Sequence, residues 1–354
     1  MQQIRFSADT LAAKNTTVVS DEVRSDRSTA DLLLVASDVQ GNLNGELSYG
    51  SWDTLLQAVL CGTWSSAGDA VFANGVGNNT TTFVSASASF VSGDVGKTII
   101  GPTIPNGTYI VSITNGTTVV LSNVVPTGTS LAFTIKARTG TGNLLVNGIT
   151  NRSFLIEVGF LDIAQYLQYT GCVPNTLDLT IASRKQIQLV FAFMGANGTR
   201  AGTTASGSII PANSRPPITA GPYITGIAAN TNWTGATLKQ LALKINNNLR
   251  IHDQVQSLAS DDFGRGVLDI TFTASLYFKN GNLIDQGLAN SASAFSFNIA
   301  DPLTGGAYEI TLPKVKLEVP NPTVPGNNQD VMLDISGQAL VDPVSGNQIQ
   351  VLRT

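Results

Sequence analysis

Residues 93–98 read GDVGKT, and Gly96-Lys97-Thr98 has the form of the tail of a nucleotide-binding phosphate loop. In such a loop the lysine reaches phosphate oxygens and the threonine hydroxyl holds magnesium. A complete loop also needs a glycine five positions before the glycine of the Gly-Lys pair, so that backbone N–H groups can curl around the phosphates. Val91 stands there instead. The loop must open a helix whose N-terminus supplies the field, whereas TIIGPTI after Lys97 is β-branched and broken by Pro102. The stretch therefore reads as a turn between two strands.

The other chemically suggestive residues fare no better. Asp262-Phe263-Gly264 echoes a kinase signature without its companion motifs. Asp261-Asp262 precedes a strand in SDDFGRG, where a solvated turn is expected rather than an acid–base pair. His252 is the one histidine, with neither a serine elbow nor a cysteine nucleophile beside it, so a surface or interface role is expected. Cys61 and Cys172 lack CxxC partners and read as two buried free thiols. The sequence thus nominates no catalytic, cofactor-binding or metal-ligating residue, and no enzyme is expected.

Composition points to an assembly. Of 354 residues, 42% are hydrophobic but only 12% are charged, about half the usual ~25%. Gly, Ser, Thr, Asn, Val and Ala fill the gap, which favours strands and turns. A surface so poor in charge is expected to be covered by something else. The net charge of −4 and the absence of a Lys/Arg run disfavour tight nucleic-acid binding. MQQIRFSADT has no basic-then-apolar signal pattern, and no apolar run approaches about 18 residues, so neither secretion nor a membrane helix is expected.

Along the chain, TTVVSDEV, STADLLLVAS and NLNGELSY read as short strands. SWDTLLQAVLCG is the clearest helix, with Ser51 as its cap, Asp53 in the first turn and Gly62 at its stop. Trp52, Leu55, Leu56, Val59 and Leu60 form its apolar stripe. From Ser65 to about Ala137 the only charges are Asp69, Asp94, Lys97 and Lys136. That segment reads as a separate β-domain of five or six strands, with NG, TG and NG turns favouring hairpins. Its aromatics Phe72, Phe83, Phe90, Tyr109 and Phe133 read as core. SFLIEVGFLDIAQYLQYTG begins as a strand and turns into a short second helix bearing Ile163, Tyr166 and Leu167 on one face.

Strictly alternating strands follow: Leu177/Leu179/Ile181, Ile187/Leu189/Phe191/Phe193, Leu241/Leu243/Ile245, Leu268/Ile270/Phe272, Phe295/Phe297/Ile299, Tyr308/Ile310/Leu312 and Val331/Leu333/Ile335. Each has one buried and one polar face, as in an antiparallel sandwich or barrel. Residues 199–222 are aperiodic and too long for an ordinary loop, and read as an arm lying on another subunit.

The block SFLIEVGFLDIAQYLQYTGCVPNTLDLTIASRKQIQLVFAFMGA resembles the central part of the tail tube proteins of long-tailed bacteriophages. ELSYGSWDTLLQAVLCGTW, LKQLALKINNNLR, GVLDITFTASLYFKNGNL, AYEITLPKVKLE and QDVMLDISGQALVDPVSG resemble further strands of that family, in order. The likeness covers most of 1–64 and 138–354, implying a discontinuous tube domain, and leaves 65–137 as an inserted β-domain expected to project from the exterior.

The resemblance implies a mainly β tail-tube fold and a virion structural subunit, assembled in the host cytoplasm into stacked hexameric rings. Its implied partners are further copies of itself, a tape-measure protein in the lumen, and tail terminator and distal tail proteins at the ends. DNA would transit the lumen without specific binding, past carboxylates for which Asp21, Glu22, Asp26, Glu157 and Asp162 are candidates. The arm at 199–222 and the segment 1–30 are candidates for contacts between rings. The insert is a candidate for weak binding to the host surface or a glycan. Two alternatives remain at this point: the inner tube of a contractile tail or injection machine, and a carbohydrate-binding β-protein.

Overall fold

A computed structural model describes all residues except 66–69, 91–93, 96, 98, 106–107, 136–143, 228–230, 234, 304–305, 325 and 354. The chain divides into two compact units: Met1–Thr63 with Val146–Leu352, and Trp64–Leu145. The fold is mainly β, with two α-helices among the described residues. No described helix is long and apolar enough to cross a membrane.

The first unit opens with β1 (Ala8–Asp9), β2 (Ala12–Val19) and β3 (Leu32–Glu46), then α1 (Asp53–Val59). STADLLLVAS and NLNGEL, expected as separate strands, join into the single strand β3. The Trp52 backbone caps α1 without a side-chain bond, so the expected Ser51 cap is not used. The Ser51 hydroxyl is instead the partner of the Ser48 hydroxyl. The helix ends on Cys61, not on a glycine: Cys61 takes the left-handed conformation (φ 49°). The N–H groups of Cys61 and Gly62 return to the carbonyls of Ala58 and Gln57.

The second unit holds β4 (Ala70–Gly77), β5 (Thr80–Ser85), β6 (Ile99–Ile100), β7 (Ile110–Asn115), β8 (Thr118–Val125) and β9 (Gly128–Ile135). They form a sheet in the order β6-β9-β4-β5-β8-β7. A β7–β8 hairpin forms where expected, but Gly116-Thr117 makes its turn and Asn115 is already paired with Thr118. Thr127-Gly128 does not make a hairpin, because β8 and β9 are not neighbours. Asn106-Gly107 and the expected boundary at 137–138 lie outside the described residues. Phe83, Phe90 and Phe133 are buried in this unit's own core, with Phe72 packed against them. Tyr109 is exposed, contrary to its expected core position.

The chain continues with β10 (Leu144–Val146), β11 (Phe154–Phe160), β12 (Gln165–Ala182), β13 (Gln188–Gly195), β14 (Asn197–Ala201) and β15 (Ile224–Thr225). Next come β16 (Thr237–Asn246), β17 (Arg250–His252), β18 (Asp262–Gly264), β19 (Asp269–Tyr277) and α2 (Asn282–Leu288). The last strands are β20 (Ser293–Ala300), β21 (Ala307–Leu317), β22 (Asn321–Thr323), β23 (Met332–Ala339) and β24 (Gln350–Arg353). The expected helix over Ile163–Leu167 is absent: residues 161–164 are the turn of a β11–β12 hairpin, and Gln165 already starts β12. The second helix lies at Asn282–Leu288 instead.

The main sheet runs β1-β3-β13-β12-β16-β19-β23-β21-β20-β15, each described pair antiparallel. Its alternating residues behave as period two requires. Leu177, Leu179, Leu189, Phe191, Leu243, Phe272, Phe297, Ile310 and Leu333 are all buried, as are Trp52, Leu55, Leu56, Val59 and Leu60 from around α1. Burying each such side chain is worth roughly 1.5–3 kcal/mol, so this face fixes the register of the sheet. The gap left among Leu56, Leu60, Leu177, Leu243, Tyr308 and Ile349 holds about 30 Å³. That is room for one water, far below a ligand pocket of ~300 Å³ or more.

Candidate assembly interface

Near the phosphate-loop likeness, Asp94 is fully buried and its carboxylate lies 3.7 Å from the Lys97 Nζ. The Lys97 N–H donates to the Asp94 carbonyl, and β6 begins at Ile99, so a strand follows where a phosphate loop requires a helix. Val91, Gly96 and Thr98 lie outside the described residues. The lysine that sequence would aim at phosphate is held by a carboxylate of its own turn.

β17 and β18 form a small two-stranded flap in which His252 pairs with Asp262 and Ile251 with Phe263. Phe263 is buried, whereas His252, Asp253, Asp261 and Asp262 are exposed. The glycine of the Asp-Phe-Gly triplet has a packing reason. A Cβ on Gly264 would lie 2.4 Å from the His252 Nε2. Among the described residues no group of His, Cys, Asp and Glu could hold a metal ion. Both cysteines are buried and free. Burial pushes the Cys172 thiol up to about 12, out of the reactive range.

The distinctive chemistry of the first unit is on its surface. β3 pairs with β13 only from Val39 to Glu46, yet it extends seven residues further, to Leu32, alongside β2. The result is a two-stranded ribbon. All of β2 is exposed, and so are Leu32, Leu33, Leu34 and Val35 of β3. Val18 pairs with Leu33 and Val19 with Leu32; successive residues of a strand point to opposite faces, so the ribbon is apolar on both sides. These residues are between 42 and 59% exposed. At its base the Tyr169 hydroxyl donates to the Leu11 carbonyl.

A second extension comes from β11, the first half of β12 and β14, which pair as a three-stranded sheet. Its tip exposes Phe160, Leu161 and Ile163. The segment after β14 is tied to its own subunit. The Glu157 carboxylate accepts from the Thr204 hydroxyl (2.6 Å), the Ala205 N–H (2.7 Å) and Gln168 Nε2 (2.9 Å). Further on, Asn213 donates to the Tyr49 carbonyl, and Arg215 pairs at 2.6 Å with the buried Asp301 and stacks on Tyr49. The Ile187 N–H donates to the Ile218 carbonyl. The segment expected to lie on another subunit is thus anchored to its own chain at Thr204, Ala205, Asn213, Arg215 and Ile218.

The five acidic candidates are thereby separated. Asp21, Glu22 and Asp26 sit exposed at the end of the ribbon, where Asp26 pairs with Arg24. Asp162 is exposed in the β11–β12 turn. Glu157 is an anchor for the segment beside it and not a loose surface charge. The apolar ribbon face was not visible in sequence, because STADLLLVAS reads like any strand with a buried side.

An antiparallel β unit with a filled core and apolar strands projecting into solvent presents a surface of the kind that protein partners cover. The phage tail tube protein family model matches residues 3–339, and the chain belongs to that family. It is a structural protein of the virion tail tube. No curated protein matches the chain.

Proposed function

We propose that this chain forms hexameric rings that stack into the hollow tube of a long non-contractile tail, through which the genome leaves the virion. The observation that carries this reading is the β2–β3 ribbon. A two-stranded hairpin is marginal in water on its own, and one that exposes Leu and Val on both faces needs protein on both sides. Neighbouring copies supply that cover, and closing strands around a ring removes the open sheet edges. In this reading a tape-measure protein occupies the lumen during assembly, and terminator and distal tail proteins close the ends. The net charge of −4 favours passage of DNA without adhesion.

Electron microscopy of the purified chain tests the proposal. Rings or tubes of one bore are expected as concentration rises. A persistent monodisperse monomer would sink it.

A further inference from the structure

Seven Asn-Gly pairs run through the chain: 44–45, 74–75, 106–107, 115–116, 147–148, 197–198 and 280–281. An asparagine before glycine can react with its own backbone, because no Cβ hinders attack of the glycine nitrogen on the side-chain carbonyl carbon. The attack also needs that nitrogen unengaged, a backbone able to turn, and an oxygen stabilised as charge develops on it. The fold meets these needs very unequally. Gly45, Gly75 and Gly198 lie inside paired strands. A Cβ on them would lie 2.1, 2.5 and 2.8 Å from the Trp52, Phe83 and Ala13 side chains, so the chain there has no room to rotate. The Gly148 N–H is committed to the Leu60 carbonyl at 2.9 Å. Gly281 caps α2 and its carbonyl accepts from the Asp285 N–H at 2.9 Å, so reaction there must undo the start of the helix. Asn106-Gly107 lies outside the described residues.

Asn115-Gly116 differs on every count. Asn115, Gly116 and Thr117 are all exposed at the β7–β8 turn, and a Cβ on Gly116 would meet nothing within 4 Å. Among the described residues nothing accepts from the Gly116 N–H. The Asn115 Oδ1 accepts from both the Thr117 N–H and the Thr117 hydroxyl, each at 2.9 Å. Two donors on one carbonyl oxygen are what an oxyanion forming there requires. An open nucleophile thus stands beside a polarised carbonyl.

We infer that Asn115-Gly116 is a self-modification site of the second unit, at which asparagine converts to aspartate and isoaspartate without an enzyme. The Gly116 nitrogen gives its proton to hydroxide and bonds to the Asn115 Cγ, and negative charge gathers on Oδ1. The Cγ–Nδ2 bond then breaks, and Nδ2 takes a proton from water and leaves as ammonia, closing a cyclic imide. Water adds to one of the two imide carbonyls. Opening at Cγ leaves aspartate in the ordinary chain; opening at the main-chain carbonyl leaves isoaspartate, with the chain routed through Cβ and Cγ. Either product exchanges a neutral amide for a carboxylate and takes the net charge from −4 to −5. Isoaspartate also lengthens a turn that is fixed by the Phe90 N–H on the Gly116 carbonyl (2.7 Å) and the Ser85 N–H on the Thr117 carbonyl (2.8 Å). Phe90 is part of the unit's core, so the modification loosens the turn's hold on that core.

Ageing the full-length chain in mildly alkaline heavy-oxygen water, followed by peptide mapping, tests this. Heavy oxygen should enter at residue 115, in both aspartate and isoaspartate, about tenfold faster than at Asn44, Asn74, Asn147, Asn197 or Asn280. Gly116→Ala, whose methyl has room, should slow conversion about tenfold by hindering the attack. Thr117→Val keeps the side chain's shape, removes the hydroxyl donor and should slow it about fivefold. Circular dichroism before ageing should show both variants folded. In the isoaspartate fraction, separated by anion exchange, the Ser85 and Phe90 amides should exchange hydrogen faster than in the unaged chain. If residue 115 gains no heavy oxygen, or converts no faster than the other five asparagines, the inference is overturned. Aspartate without isoaspartate, or a native rate in Gly116→Ala, overturns the imide route. A native rate in Thr117→Val overturns the role given to the hydroxyl. The readout does not depend on assembly, so none of these outcomes bears on the tube reading.

Discussion

Gly45 is a glycine because the Trp52 ring occupies the place of its side chain. A Cβ there would lie 2.1 Å from the ring, which itself is buried, stacks on Phe191 with centroids 5.7 Å apart, and donates from Nε1 to the Glu46 carbonyl. The Gly-Glu-Leu-x-Tyr strand and the helix after it are thus one packing unit: the strand leaves a flat site and the residue capping α1 fills it. Gly45→Ala should cost about 1–3 kcal/mol, since the indole must slide against a close-packed sheet. Urea unfolding followed by tryptophan fluorescence measures this as a lower midpoint at unchanged slope. An unchanged midpoint would mean the ring has room to move. The residues that sequence pattern offers as chemistry have equally local explanations. Lys97 answers Asp94, and Gly264 makes way for His252.

At the scale of elements, alternation was the dependable signal, because burying one face of a strand leaves no other arrangement of its side chains. The seven alternating strands read from sequence are all strands in the fold, with Ile187, Leu268 and Val331 each one residue outside its element. Two helical features were misjudged for physical reasons. Ile163, Tyr166 and Leu167 have a spacing compatible with one helix face, but a turn followed by a strand accommodates the same three residues. α2 has seven residues and a Gly281 cap with no side-chain bond, so sequence offered no start signal. The interface was less legible than the fold. Period two says that Leu32–Val35 belong to a strand, but not that β13 stops short of them.

The segment after β14 makes a prediction at this scale. Burial of Glu157 raises its pKa, yet the bonds from Thr204, Ala205 and Gln168 outweigh burial and hold it below its ordinary 4.5. A lowered carboxylate stabilises the folded arrangement above its unfolded pKa, and that contribution is lost as pH falls through the folded value. Protection of amides 203–208, measured by hydrogen exchange corrected for intrinsic rates, should therefore hold from pH 8 to about 5 and fall at lower pH. Glu157→Gln should lower protection about fivefold at pH 7, corresponding to ~1 kcal/mol, and abolish the acid step. Acid-insensitive protection in the native chain would exclude this anchor.

At the scale of the molecule, the question is what the second unit contributes. Its core, from Phe83 through Ile135, is its own. Its two ends meet: the Ser65 N–H donates to the Leu144 carbonyl at 2.9 Å, and the Leu144 N–H returns to the Ser65 Oγ. A domain whose entry and exit touch can be removed without stretching the chain it interrupts, the geometry that makes domain insertion tolerable. Replacing 66–143 with a short Gly-Ser turn should thus leave the first unit folded, with its β2–β3 ribbon unaltered. If the unit decorates the exterior, the shortened chain polymerises at close to the native concentration into tubes of the same bore and a smoother, narrower outline. Measuring bore and outer diameter separately in electron micrographs distinguishes the alternatives. An outline unchanged while the bore widens would place the unit in the lumen. A folded variant that no longer polymerises would make the unit part of the ring contact itself, and decoration would be the wrong account of it.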